Sequence, residues 1–206
     1  LLTLTSRVII LAMSVFTCVN ASAQKENFKW IRNVEQQNVR DYSDGLSAYY
    51  ENGKWGFINP AGWVVIKPEY DEVKDFVDGF CLVKKESRWG VIDKTGKSIH
   101  DCEYDSISGF DSGIAYAMKD EVSFYLYDTG KKAQLPVSKF RYSPFSNGLA
   151  RIMNLKTGEW GYTDSKGVVA IDPEFTAASD FKNGHAIVCS KGKDYIINKK
   201  GDMKAA

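Results

Sequence analysis

Trp55-Gly56-Phe57-Ile58-Asn59-Pro60-Ala61-Gly62 returns 34 residues later as Trp89-Gly90-Val91-Ile92-Asp93-Lys94-Thr95-Gly96. It returns again as Trp160-Gly161-Tyr162-Thr163-Asp164-Ser165-Lys166-Gly167. In each copy the closing Gly stands seven residues after the Trp. Aromatic and β-branched residues running into Asn/Asp-x-x-Gly have the composition of a strand entering a tight turn. A further β-prone run follows, Trp63-Val64-Val65-Ile66 or Val168-Val169-Ala170-Ile171, closing on Pro68-Glu69-Tyr70 and Pro173-Glu174-Phe175.

Outward from these stretches lies a second signature, an aromatic residue three positions before a glycine. It occurs at Tyr42-Ser43-Asp44-Gly45, Phe76-Val77-Asp78-Gly79, Phe110-Asp111-Ser112-Gly113, Phe145-Ser146-Asn147-Gly148 and Phe181-Lys182-Asn183-Gly184. Gly45, Gly79, Gly113, Gly148 and Gly184 are spaced by 34, 34, 35 and 36 residues. Such a period means tandem supersecondary units that stack to bury a shared core. The reading is an all-β protein of five antiparallel meanders of about three strands each, at 42–75, 76–109, 110–144, 145–180 and 181–206.

The Trp-Gly pairs, the Ile/Val-Asn/Asp-x-x-Gly turn, Pro68-Glu69-Tyr70 and the Phe-x-x-Gly lead-in resemble the WG repeat of bacterial proteins. The resemblance runs over 42–206. It implies a β-repeat fold without a common activity, in proteins often exported or associated with the cell envelope. Two copies depart from it. The third offers Phe124-Tyr125-Leu126-Tyr127-Asp128-Thr129-Gly130, aligned one residue short, and the fifth offers Asp194-Tyr195-Ile196-Ile197-Asn198 before Gly201.

The fifth copy also shows two strands and a short tail. Asn38-Val39-Arg40-Asp41-Tyr42 matches Glu72-Val73-Lys74-Asp75-Phe76, and Phe28-Lys29-Trp30-Ile31 falls where third strands lie. Residues 28–41 are therefore expected to complete the last unit. That would close a propeller-like ring, a solution that hides sheet edges and is favoured over an open superhelical array.

Residues 1–23 read differently. Arg7 is their single charge, an apolar run covers 8–16, and Ala21-Ser22-Ala23 precedes Gln24. This is the pattern of a secretory signal peptide. The protein is expected to be exported to the periplasm, cell surface or medium, as a single repeat domain over 24–206. Cys18 invites comparison with a lipoprotein, but Val15-Phe16-Thr17 lacks the small residues lipid attachment wants, so that reading is set aside. No second long apolar run follows, so no transmembrane span is expected.

The whole chain holds 206 residues, 44% apolar, with 27 basic residues against 26 acidic. That composition excludes a largely disordered chain and gives no basic excess for nucleic acid. Beyond residue 23 the balance becomes 26 against 26, with Cys81, Cys102 and Cys189. Three cysteines make no disulfide framework and no C-x-x-C metal motif.

Aligned units act as internal controls. Ser47, Cys81, Ala115, Ala150 and Ala186 share one small-residue position, which makes Cys81 a core residue. His100 and His185 replace residues that pack in sister copies. Trp55, Trp89 and Trp160 recur at fixed phase and read as packing residues, with Gly56, Gly90 and Gly161 leaving room for the indole. Trp63 has Lys97, Lys131 and Val168 as sisters, so packing does not demand an indole there. With Tyr49, Tyr50 or Tyr116 it could form a stacking surface for a sugar or peptide. Nucleophile elbow, zinc-protease, Walker and dinucleotide motifs are missing. Asp71, Glu72, Asp75 and Asp78 recur as a solvated linker and do not read as a glycosidase pair. The expectation is a non-catalytic module without cofactor or metal, binding a protein or a cell-envelope polymer. The alternatives are a carbohydrate-binding or carbohydrate-acting domain and a structural envelope component.

Overall fold

The computed structural model describes residues 38–136 and 138–206. The expected leader and residues 28–31 lie outside them. Five antiparallel sheets follow one another along the chain. The first holds β1 (Ser47–Glu51), β2 (Lys54–Ile58) and β3 (Val64–Tyr70), with Val39 adding a single bridge to Tyr49. The second holds β4 (Glu72–Val73), β5 (Phe80–Lys85), β6 (Arg88–Asp93) and β7 (Ser98–Tyr104). The third is β8 (Ser106–Ile107), β9 (Ile114–Lys119), β10 (Val122–Tyr127) and β11 (Lys132–Gln134). The fourth is β12 (Phe140–Ser146), β13 (Leu149–Asn154), β14 (Trp160–Thr163) and β15 (Val169–Phe175). The fifth is β16 (Ala177–Ala178), β17 (His185–Ser190), β18 (Lys193–Asn198) and β19 (Met203–Ala205).

Four of the five sheets are four-stranded meanders, one strand more than the sequence suggests, and the first has three strands. The extra strand is the segment read as linker. In the second sheet Glu72 pairs with Lys84 and Val73 with Val83, while Val73 itself is buried. The last sheet also differs from expectation. Its fourth strand is β19, from its own tail, pairing Met203 with Ile197 and Ala205 with Tyr195. Val39 and Arg40 belong at the other end, Val39 bridging to Tyr49 and the Arg40 N–H donating to Ala48 O in the first unit.

The aromatic-x-x-Gly signature forms a two-residue hairpin. Asp44 and Gly45 have φ of 50° and 83°, and Asn147 and Gly148 have 53° and 82°. Positive φ at both central residues defines the type I′ turn, whose twist matches the flanking strands, and Asp-Gly and Asn-Gly adopt it at least cost. Asn59, Asp93, Asp164 and Asn198 organise the later turn. Asn59 Oδ1, for example, accepts from the N–H groups of Ala61 and Trp63.

The core lies between sheets. Phe57 packs edge-on against Phe76 of the next unit, with centroids 4.8 Å apart. Tyr125 meets Phe145 at 4.6 Å and Tyr162 meets Phe181 at 4.8 Å. Each lead-in aromatic therefore covers the sheet before it, which is why its spacing repeats. Buried clusters join the first unit to the second, the third to the fourth and the fourth to the fifth, while Tyr104, Ala115 and Leu126 join the second to the third. Polar groups repeat the pattern. Asp44 Oδ2 accepts from Gly79 N at 2.7 Å, and Asn147 Oδ1 from Gly184 N at 3.0 Å.

The register corrects two sequence readings. Cys81 pairs with Ile92 and Ala115 with Leu126, so Ser123 stands at the Trp position and Phe124 at the Gly position. Gly130 then lies seven residues after Ser123, and the third unit is not one residue short. The second correction concerns what the glycine leaves room for. A Cβ on Gly56 would lie 2.5 Å from Ile66 O and 2.7 Å from Pro68 N. The bulged backbone of β3 occupies the room that this glycine leaves.

Candidate binding surface

The Trp-Gly dipeptide controls the outer strand. In the units that carry it, the pairing shifts twice, as at Trp55↔Tyr70, Phe57↔Ile66 and Ile58↔Val64. The same shifts occur beside Trp89 and Trp160. Pro68 and Pro173 fall in this bulge, where a missing N–H is tolerated. Where Phe124 or Tyr195 replaces the glycine, β11 and β19 pair without a shift and are three residues long.

The indoles are half-buried and capped by cations. The Arg40 guanidinium lies 4.2 Å from the Trp55 ring centre, Arg151 lies 5.3 Å from Trp160, and Lys74 and Lys84 lie 5.3 and 5.4 Å from Trp89. Each cation–π contact is worth about 0.5–1 kcal/mol at an exposed site. Arg40 also donates to Val73 O at 2.9 Å, so its contact links the first two units.

The four aromatic residues proposed from sequence do not form one surface. Tyr49 is 1% exposed and packs with Ile58 and Val64, so it belongs to the core. Tyr50, its neighbour on the opposite face, is 39% exposed and packs against Trp55 in a tilted arrangement, with centroids 5.0 Å apart and planes at 51°. Trp63 is half-buried in the turn between β2 and β3. Tyr116 lies two sheets away on β9, half-buried, its hydroxyl 2.8 Å from Ser123 Oγ. Of the two histidines, His100 is buried with Nε2 2.8 Å from Tyr127 O, linking the second unit to the third. His185 is exposed, unlike its sisters Leu46, Ile114 and Leu149.

What sequence reasoning missed is an open cleft of about 590 Å³ lined by Val39, Arg40, Asp41, Tyr42, Ser43 and Asp75. Asp41, Tyr42 and Asp75 are exposed, and Tyr42 OH donates to Asn59 O at 3.2 Å. The signal available in the sequence was Tyr42 itself, the lead-in aromatic of the first unit.

Carboxylates elsewhere serve unit junctions. Asp71 is ion-paired with Lys54 and accepts from Glu86 N across the junction at 2.8 Å. Glu103 bridges Lys119 and Lys132 at 2.6 and 2.7 Å, and hydrogen bonds from these two ammonium groups hold its carboxyl down at about 2. Hydrogen bonding from Lys94 and Gly79 lowers Asp44 as well. Cys81, Cys102 and Cys189 are unpaired, and burial pushes the Cys81 thiol up to about 12, leaving it unreactive.

Sheet-to-sheet cores, repeated I′ turns and Trp-Gly bulges together define an all-β tandem-repeat protein. The chain belongs to the WG-repeat family: the WG containing repeat matches at residues 55–89, 89–122 and 160–193. No curated protein matches it in sequence.

Among solved structures it is similar to Kluyveromyces lactis Hsv2 with loop 6CD replaced by a Gly-Ser linker, at TM-score 0.40 and 10% identity over 80% of this chain and 64% of that one. It is similar to a eukaryotic initiation factor at TM-score 0.49 and 13% identity, over 86% of this chain and 56% of that one. PorZ, a bacterial surface component of the type-IX secretion system of Porphyromonas gingivalis, gives TM-score 0.36 and 11% identity over 79% of this chain and 26% of that one. The chain therefore spans less than two thirds of each of these proteins. Among the described residues, no helix is long and apolar enough to cross a membrane.

Proposed function

We propose that the protein is an exported, non-catalytic recognition module that binds a protein or a cell-envelope polymer through its repeat-built surface. The observation that carries this reading is the cleft at Val39–Ser43 and Asp75, open and polar, on a scaffold in which Asp71 and Glu103 are engaged at unit junctions. A rigid repeat core with variable exposed segments is the usual way such scaffolds present a binding face. Carboxylates with displaced pKa, among them Asp44, Asp71, Glu103 and Asp111, are displaced downwards, whereas a general acid at neutral pH needs the opposite.

Export rests on the pattern of residues 1–23. For the arrangement of the units, Tyr42 is 50% exposed and Ile196 39% exposed, which supports an open propeller-like arc over the closed ring. A carbohydrate-binding reading keeps one specific support, the exposed Tyr50 packed against half-buried Trp55.

Pull-down from the native cell envelope, run beside a glycan array, tests the proposal. Asp41→Lys/Asp75→Lys is expected to weaken retention of a protein or polymer at least tenfold while leaving the fold intact. Binding that survives this change but falls with Tyr50→Ala favours the carbohydrate reading. Turnover of a polymer without a retained partner would overturn the non-catalytic one.

A further inference from the structure

Four units share one packing rule that the fifth does not satisfy. Phe57, Val91, Tyr125 and Tyr162 occupy the same register position and are at most 1% exposed, and the following unit's lead-in aromatic packs on Phe57, Tyr125 and Tyr162. Ile196 holds that position in the fifth unit and is 39% exposed. Its cross-strand partner Ile187 is 55% exposed, whereas Ala48, at the sister position in the first unit, is 3% exposed. His185, two residues before Ile187 and on the same face, is exposed as well. An apolar centre with a polar rim is the composition of a protein interface.

The other end of the array shows the complementary gap. Phe76, Phe145 and Phe181 are buried against the preceding sheet, but Tyr42, the first lead-in aromatic, is 50% exposed. Asn183 occupies the turn position from which Asp44 and Asn147 accept the next unit's glycine N–H, and Gly45 occupies that donor position. Charge points the same way. The first unit, residues 38–70, carries four carboxylates and three cationic side chains, while the fifth, residues 177–206, carries six lysines and three aspartates. Among the described residues, no hydrophobic cluster joins the fifth unit to the first.

We propose that the exposed face of the fifth sheet, centred on Ile187 and Ile196, receives the first unit of a second copy of this chain. Tyr42 of the second copy packs on Ile196, Gly45 N donates to Asn183, and the slightly negative first unit meets the positive last one. The contact repeats between molecules what Phe57–Phe76 and Tyr162–Phe181 do within one. It is heterologous: each copy uses one surface to give and another to receive. Association therefore extends head to tail and does not stop at a symmetric pair.

Sedimentation of the purified protein over a concentration series tests this. The expected result is a weight-average mass that rises steadily with concentration and falls severalfold in extent at high salt. Tyr42→Asp and Ile196→Asp should each be folded by circular dichroism and each monomeric, both sites being exposed. Mixed one to one, they should form a dimer and nothing larger, because each retains the surface the other has lost. Two results would overturn the proposal. One is a monomer at every concentration with Tyr42 and Ile196 protected from solvent, which means that the chain covers its own last face. The other is a mixture that stays monomeric, which means that any association uses a different surface.

Discussion

Gly56 lies directly beneath the carbonyl of Ile66: a Cβ at that position would come within 2.5 Å of the oxygen, and Gly161 stands in the same relation to Ile171. The clash partner is backbone inside a bulge, so no rotamer change relieves it. Gly56→Ala and Gly161→Ala should each destabilise the fold by about 2–4 kcal/mol, the range of severe overpacking. Urea unfolding checks this, and a loss below the effect of a surface alanine would refute the bulge account.

The hairpin between β5 and β6 turns through Glu86 and Ser87 at φ of 51° and 68°, and that between β9 and β10 through Asp120 and Glu121 at 49° and 65°. In the first unit the second of these positions is Gly53. A side chain in the left-handed region costs about 1 kcal/mol, partly offset by the unfolded-state entropy of glycine. Ser87→Gly and Glu121→Gly should thus raise stability by about 0.5 kcal/mol each, readable as a higher urea midpoint at unchanged slope.

Tyr125 and Tyr162 hold the same position in adjacent units but differ at the hydroxyl. Tyr162 OH donates to Ser179 O at 2.7 Å, whereas Tyr125 OH is buried without a partner. Removing a satisfied hydroxyl costs about 1 kcal/mol, and removing an orphaned one costs nothing or stabilises. Tyr162→Phe should lower the thermal midpoint and Tyr125→Phe should hold or raise it.

Burial pushes the Tyr162 phenol up to about 12 from an ordinary 10.0, and Tyr70 likewise to about 12. The folded state therefore holds these protons more tightly than the unfolded chain. Their contribution is complete below pH 10 and is lost as pH rises towards about 12. Stability measured across that window should fall, and less steeply in Tyr162→Phe.

Glu103 works in the opposite direction. Its carboxyl is held at about 2 against an ordinary 4.5, first by Lys119 and then by Lys132. Its contribution is present above pH 4.5 and is lost as pH falls towards about 2. Partial exposure limits that contribution to about 1 kcal/mol. Glu103→Gln should flatten the acid limb of the stability profile in that interval and reduce its salt sensitivity.

Sequence determined what depends on local conformation and on period. The Asp-Gly, Ser-Gly and Asn-Gly turns, the alternation of short β-prone runs and the spacing of Phe76, Phe110, Phe145 and Phe181 are properties of the chain. They defined the repeat and its family before any packing was known, while the sheets begin and end at other residues than the repeats, β4 (Glu72–Val73) joining the second sheet and β16 (Ala177–Ala178) the fifth. Tertiary structure decided which residue faces what. Tyr49 and Tyr50 look equivalent in a list of aromatics, yet a strand sends successive side chains to opposite faces, one into the core and one outward. Ser123 and Phe124 took the Trp-Gly positions because cross-strand pairing sets register, and the chain pattern around Gly130 fits two alignments until Leu126 is seen opposite Ala115. Ile196 has the chemistry of a core residue and the exposure of a surface one. Whether a sheet face is buried depends on what packs against it, which the sequence of that sheet does not contain.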